Sequence, residues 1–353
     1  MKKRLFIATM VMLSSTFVYS SSISEAIEGI EHSGEIRLGG IRTKDSEDKK
    51  ATTLSLGGKL SIETKPISGV SLVGTFFTTN HLFGKDDESL FLSSTKEDYS
   101  IVGESYLKMK LSKSTIKAGR QIIDTPYADS DDIAMVPNSF EGYSLVNRDL
   151  KSSTVVLALL DKWSGVDALV PEKFTSMQSS GDAVFLAGLI YEGLENTTIQ
   201  GWHYQLDDAD FNYGELTYEK DSFKMGLQYT DQDHDNSAYG LLVGANLGNL
   251  SLEFDYNKVD GVVSNGFGGG PFFTSNEDHT IADIADQEAK TYRAEYKIDR
   301  VTLGVSHADF DKCENETDYL ASFEVNENHT LDLIYSDMYD DGNMVRFFAN
   351  YRF

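Results

Sequence analysis

Charged residues fall at alternate positions in segments that otherwise read as strands, and that spacing limits the chemistry open to this chain. Arg37, Lys59, Lys108, Lys110, Lys117, Arg293 and Arg346 each lie in a period-two run. Tyr106, Lys108 and Lys110 oppose Leu107, Met109 and Leu111, and Thr291, Arg293, Glu295 and Lys297 oppose Tyr292, Ala294, Tyr296 and Ile298. Cations sharing one face of a sheet can guide anionic groups along a polar wall without making or breaking a bond. The alternative is that they pair with Glu35, Glu63, Glu104 and Glu295 and merely fill that wall. A second group is compact: Asp124, Asp129, Asp131 and Asp132 crowd the segment 124–142, which Pro126 and Pro137 stiffen and Arg120 precedes. Acids facing a basic wall would set a transverse field across a narrow passage, whereas the same loop turned outward would be a solvated acidic surface. Catalysis has no support. The seven histidines lack metal-ligand spacing, and no G-x-S-x-G or comparable nucleophile context occurs. Asp231-Gln-Asp-His-Asp235 alternates acids like a calcium loop, but Asn236 replaces the glycine and no Glu closes it, so no metal and no cofactor are expected.

These residues need strands to position them. Period-two patterning between turn signals gives 34–41, 53–64, 69–79, 100–111, 114–123, 143–150, 152–160, 183–191, 197–206, 211–219, 222–230, 238–247, 249–258, 289–298, 301–310, 317–326, 329–338 and 343–353. That is about 18 strands; sixteen is the alternative, because 143–150 and 317–326 are weakly patterned. The links alternate between tight turns, such as Ser112–Lys113 and Asp299–Arg300, and longer polar segments, such as 80–99, 124–142 and 259–288. An antiparallel up-and-down barrel predicts that interleaving, and a Greek-key sandwich does not. The final strand puts Val345, Phe347, Ala349, Tyr351 and the terminal Phe353 on one face and Arg346, Asn350 and Arg352 on the other. An apolar outside and a polar inside are the requirements of a transmembrane barrel strand, since Arg or Lys facing lipid at the midplane costs about 2–4 kcal/mol. Tyr229, Tyr256, Tyr335 and Tyr351 would form interfacial girdles.

Lys2, Lys3 and Arg4, the apolar run 5–18 and Ser20 to Ser22 read as a secretory signal peptide over 1–22. A short arm or helix over 23–33 and a barrel over 34–353 complete the organisation. No apolar run is long enough for a spanning helix. The formal net charge of −25 argues against nucleic acid as a partner and concentrates cations near the loops. Cys313 is the only cysteine, so no internal disulfide can form. Gly266, Gly268, Gly269 and Gly270 could cradle a phosphate, but without a strand–glycine–helix context a turn inserting Phe272 and Phe273 towards a pore or rim is the better expectation.

Gly119-Arg120-Gln121 running into Asp124-Thr125-Pro126, then Val136-Pro137-Asn138-Ser139-Phe140-Glu141-Gly142, resembles the third-loop region of the OprD-like outer-membrane porin family. Gly268-Gly269-Gly270-Pro271-Phe272-Phe273-Thr274 followed by Glu277-Asp278 resembles its branch in epsilon-class bacteria, and Ser33-Gly34-Glu35-Ile36-Arg37 is similar as well. The resemblance spans about 21–353. It implies an eighteen-stranded barrel in the bacterial outer membrane, an inward-folded third loop, a basic ladder on the wall, and passive uptake of small hydrophilic solutes and ions, often carboxylate-bearing. Arg120 matches the motif, yet alternation places it with Ile116 and Ala118; either a bulge intervenes or it reaches the loop from the strand end.

The expected function is a non-enzymatic diffusion channel, monomeric or homotrimeric, in contact with outer-membrane lipid. Lumenal Arg and Lys and an acidic constriction would set its selectivity. The alternative is a structural or adhesive barrel with a plugged lumen and acidic loops that bind ligands or cations.

Overall fold

The structure, a computed structural model, describes residues 25–84, 90–233 and 235–353. The expected signal peptide lies outside the described residues. Residues 25–28 make one helical turn, and the Lys65 amide donates to the Ala26 carbonyl (3.4 Å), which seats the turn beside the link 64–69.

Eighteen strands then build the wall: β1 (Glu31–Asp45), β2 (Lys50–Glu63), β3 (Val70–Phe83), β4 (Tyr99–Leu111), β5 (Ser114–Gln121), β6 (Ser139–Asn147), β7 (Ser153–Ser164), β9 (Val184–Leu194), β10 (Thr197–Gln205), β11 (Asp210–Lys220), β12 (Phe223–Gln232), β13 (Asn236–Leu247), β14 (Leu250–Asp260), β15 (Glu288–Ile298), β16 (Val301–Phe310), β17 (Glu316–Asn326), β18 (His329–Asp337) and β19 (Gly342–Arg352). The two-residue β8 (Thr175–Ser176) pairs only with the end of β7. Each long strand pairs antiparallel with its sequence neighbours, and β1 pairs with β19 from Glu35↔Arg352 to Asp45↔Gly342. The sheet therefore closes on itself and leaves no edge to aggregate.

Both weakly patterned segments are wall strands, so the sixteen-strand alternative fails. β6 starts earlier than the pattern suggested because Phe140 and Glu141 pair with Trp163 and Lys162 across a bulge in β7. It also stops earlier: the Asp149 carboxylate accepts from the Ser112 and Ser114 hydroxyls and ties residues 148–152 into a turn. Strands run on past their expected ends at the opposite rim, which shrinks the expected long link 42–52 to 46–49. Four of the nine links at that rim are long, namely 84–98, 122–138, 165–183 and 261–287. At the other rim Ser112, Asn196, Asp221 and Asp299 adopt positive φ in two-residue turns, as the right-handed twist of a hairpin demands.

Faces follow the pleat. Leu56, Leu60, Leu107, Leu157, Tyr229, Tyr292 and Leu333 project outward and are exposed, while Ser55, Thr75, Gln228, Asn257 and Thr291 project inward and are buried. The outer face is apolar because it meets lipid, and the inner face is polar because loops and solvent fill it. Two apolar clusters lie inside the barrel. One joins Tyr127 and Ala128 to Trp202, Tyr204, Phe211 and Tyr213 of the wall and to Val263, Phe267, Phe272 and Ile281. The other joins Phe91, Ala134 and Met135 to Ile41 and Phe348.

Candidate functional site

Those two clusters fix the third loop at the long-loop rim, residues 122–138. Tyr127 packs edge-on against Tyr204, Phe211 and Tyr213, and its hydroxyl donates to Thr230 Oγ1 (2.6 Å), so this part of the loop is held by β10–β12. Ala134 and Met135 pack on β1 and β19, whose Arg37 also donates to the Ala134 carbonyl. In the strand order these walls lie well apart, so the loop crosses the lumen. Between its anchors stand Asp129, Asp131 and Asp132.

Each acid meets a different fate. Asp129 accepts from the amides of Gly269 (3.3 Å), Gly270 (3.4 Å) and Asp131 (3.0 Å). The glycine cluster does cradle an anion, and the anion is the protein's own. Gly268 lies at φ +151°, and a Cβ there would sit 2.4 Å from Asp129 Oδ2, so the close approach requires glycine. Burial pushes the Asp129 carboxyl up despite these donors. Asp131 is pushed up to about 8, first by burial and then by neighbouring Asp167. Asp132 pairs with Arg37 (2.7 Å) and stands 3.8 Å from Lys59. Asp124 accepts from the Ser130 amide (3.1 Å) and braces the loop from within.

The basic residues divide into anchors and free wall. Arg37 and Arg346 read from sequence as contacts for solute, but they are only 5 % and 1 % exposed. Arg37 is saturated by Glu35 (2.9 Å), Asp132, Asn350 and the Ala134 carbonyl. Arg346 holds Glu277 (3.0 Å) and Asp278 (3.3 Å) of the seventh loop at the same rim, residues 261–287. Arg293 pairs with Asp255 and donates to the Phe273 (3.0 Å) and Ser275 (2.7 Å) carbonyls of the same loop. The inward loops carry acids and carbonyls that the wall arginines need, so these three cations fasten loops. Phe272 is buried in the larger cluster, which places the Gly-Pro-Phe-Phe turn inside the barrel.

Lys59, Lys108, Lys110 and Lys117 remain on the inner face of β2, β4 and β5. Lys108 and Lys117 are directly cross-strand. Lys108 is held by Glu63 (2.6 Å), whereas Lys117 lies over the Tyr106 ring (4.8 Å) and makes no ion pair with a carboxylate among the described residues. Arg120 is a correction: it faces out of the barrel. It stands opposite outward Ser105, bonds to Glu141 (2.9 Å) and covers the Phe174 ring (4.2 Å), so it belongs to neither the lumen nor the constriction. No bulge intervenes in β5, and plain alternation gives this placement.

Sequence reasoning missed Glu316 and Asp318, which meet Asp278 in the only group of potential metal ligands among the described residues. It also missed Asp167, which joins Asp131 around a cavity of about 240 Å³. All three are ordinary acids in sequence and become notable only when distant segments meet. Burial, with Asp341 and Glu314 nearby, pushes the Cys313 thiol up to about 11, which disfavours the thiolate.

A family description of outer-membrane porins of the OprD type matches residues 78–313, two thirds of the chain. The chain belongs to the OprD family of outer-membrane porins. Solved structures agree on the fold of this porin. OpdK of Pseudomonas aeruginosa superposes with a TM-score of 0.79 at 19% identity, covering 92% of this chain and 99% of that one. OccK8 (OprE) of the same organism gives 0.80 at 17% identity, covering 92% and 98%. OccAB2 of Acinetobacter baumannii gives 0.78 at 16% identity, covering 93% and 99%. OpdK has also been solved with vanillate; that structure gives 0.78 at 18% identity, covering 92% and 99%. No curated protein sequence matches significantly. The porin is thus an outer-membrane diffusion channel for small hydrophilic solutes and ions, in a family of channels and not of enzymes.

Proposed function

We propose that this porin favours small carboxylates and that the lysines of β2, β4 and β5, not its arginines, select them. One observation carries the reading: Lys117 faces the lumen, directly across from Lys108, without an ion-paired carboxylate among the described residues. Like charges directly opposite one another destabilise a sheet, so the pair makes sense where an anion visits. Lys59 stands near the third loop beside Asp132, and Lys110 continues the row towards the tight-turn rim. A carboxylate passing Asp132 would meet cations in succession, held weakly enough to leave. The OpdK structure with vanillate, an aromatic carboxylate, fits this class of solute.

The test is benzoate influx and reversal potential in planar bilayers for the wild type and for Lys117→Ala with Lys59→Ala. We expect the double variant to lose about tenfold in benzoate flux while potassium chloride conductance changes less than twofold, since a pair of point charges worth about 1.4 kcal/mol sets that ratio. Equal loss for benzoate and an uncharged sugar would refute carboxylate selection.

The seventh-loop acids and the third-loop acids support a further element of the reading, an acidic constriction that raises the local concentration of cations at the entrance. We also infer cleavage of residues 1–22 on export, to be read from the N-terminal sequence of protein isolated from membranes. The lumen is walled by a single chain, so it conducts whether the barrel is a monomer or one of three, and the mass of the detergent-solubilised particle decides which.

A further inference from the structure

We propose that Tyr106 is a positioning residue for Lys117: its ring seats the lysine ammonium between passages and so speeds the release of a bound carboxylate. The inference rests on the carboxylate reading above and adds a residue that reading does not use. Lys117 Nζ lies over the Tyr106 ring, 4.8 Å from its centroid. The two are diagonal neighbours on the inner face of the β4–β5 ladder, where Tyr106 stands opposite Gly119 and Lys117 opposite Lys108. Long and aromatic side chains reach one another along that diagonal.

The surroundings explain why the ammonium goes to the ring. The acids around Lys117 are Glu104, Asp124 and Glu63, and each is engaged elsewhere. Glu63 accepts from Lys108 with both oxygens (2.6 and 2.7 Å) and from the Ser71 hydroxyl (2.8 Å). Glu104 accepts from the Thr75 hydroxyl (2.7 Å) and from the Ile122 amide (3.3 Å) at the start of the third loop. Asp124 accepts from the Ser130 amide (3.1 Å). On its other side Lys117 stands opposite Ser144, whose hydroxyl donates to Gln121 Oε1 (2.6 Å). The position across from Tyr106 is bare as well. Gly119 lies at φ +129°, and a Cβ there would meet the Ser105 carbonyl oxygen at 2.1 Å.

A ring serves here as a carboxylate could not. A bidentate acid would hold Lys117 as Glu63 holds Lys108, and a bare ammonium would keep its anion longest. Conduction needs a site favourable enough to enter and weak enough to leave. The ring quadrupole attracts the ammonium, so a solute carboxylate must draw Lys117 away from it, and the contact re-forms as the solute departs. The seat therefore weakens carboxylate binding about fivefold, which corresponds to about 1 kcal/mol. Lys117 lies on β5, the strand that runs into the third loop, so this release belongs to the passage beside the constriction.

Influx of acetate and of benzoate would be measured against concentration in liposomes. The proteins are wild type, Tyr106→Leu, Tyr106→Thr, Tyr106→Phe, Lys117→Ala and the double variant Tyr106→Leu with Lys117→Ala, each shown to be folded by heat-modified gel mobility. We expect the half-saturating concentration to fall about fivefold for both solutes in the two ringless variants, with maximal flux falling as release slows. Tyr106→Phe, which keeps the ring, should restore both values. On the Lys117→Ala background, Tyr106→Leu should change neither. Unchanged half-saturation in the ringless variants would overturn the proposal and leave Tyr106 as wall. Weaker binding of benzoate with acetate unaffected would overturn it too, because the ring would then be a contact for the solute. Lys117→Ala separates the two levels of the argument. Wild-type saturation curves in that variant would refute the lysine reading itself, whereas lost influx there beside ringless variants that match wild type would refute only the seat.

Discussion

Arg37 shows how a residue can be placed correctly and its role misjudged. Alternation along Glu35-Ile36-Arg37-Leu38 puts it on the inner face, where the structure has it. Its partners, Asp132 and the Ala134 carbonyl, come from 95 and 97 residues away. No local pattern announces them, so a cation expected to face solute turned out to be spent on a loop. Removing one partner of a buried ion pair strands the other charge at a cost of about 3–5 kcal/mol. Arg37→Ala should therefore lower the thermal midpoint and raise single-channel conductance severalfold as the third loop loosens; both are read on refolded protein. Asp131 gives the pH dependence at this scale. Its carboxyl is held near 8 in the folded porin against about 3.9 when unfolded. The native state therefore binds the extra proton between roughly pH 4 and 8, and stability falls as pH rises through that window. Above pH 8 the constriction gains a negative charge. Asp131→Asn should flatten the melting-temperature profile between pH 4 and 8 and abolish the rise in cation selectivity above pH 8, and a profile unchanged by the substitution would contradict this assignment.

At the scale of elements, the third and seventh loops act as one inserted layer. Asp129 of the third is held by the amides of Gly269 and Gly270 of the seventh, and Phe267 donates to and accepts from the third-loop backbone at Tyr127 and Asp129. Each loop also has its own wall anchor, Arg37 for one and Arg346 with Arg293 for the other. Gly268→Val would drive a side chain into the Asp129 carboxylate and uncouple the layer. We expect flickering conductance and faster protease cleavage within 122–138, with the barrel itself intact by gel mobility; a steady current would show that the loops stand independently. Strands were legible in the sequence because a lipid face and a polar face force period two on every one of them. The loops were less so. Proline and glycine marked where they turn, and the third-loop resemblance marked the inward fold, but the partner of each acid depends on which wall the chain reaches.

At the scale of the whole molecule, a count of about eighteen strands could be read from the sequence because a lipid face and a polar face pattern most wall strands, whereas the alternation of link lengths holds only in part, since four of the nine links at the long-loop rim are long. Register at the rims could not be read, since hydrogen-bonded ladders continue past the last alternating residue, as at 42–45 and 50–52. The side of the wall on which Arg120 sits was readable by plain alternation, and its outward ion pair with Glu141, which Lys162 also approaches, keeps charge near the long-loop rim, away from the apolar belt.

The anchoring arginines have one more consequence. Arg37 lies on the first strand and Arg346 on the last, the two that meet only when the sheet closes. Asn350 of β19 also braces Arg37 of β1 across that junction. The narrow passage therefore cannot be assembled on a half-built sheet. During biogenesis the chain would pass through a stage with an open seam and unmoored loops, and the sieve would appear only at the closing step. A barrel caught before closure would leak without discrimination, so the same junction that completes the wall also decides when the outer membrane becomes selective.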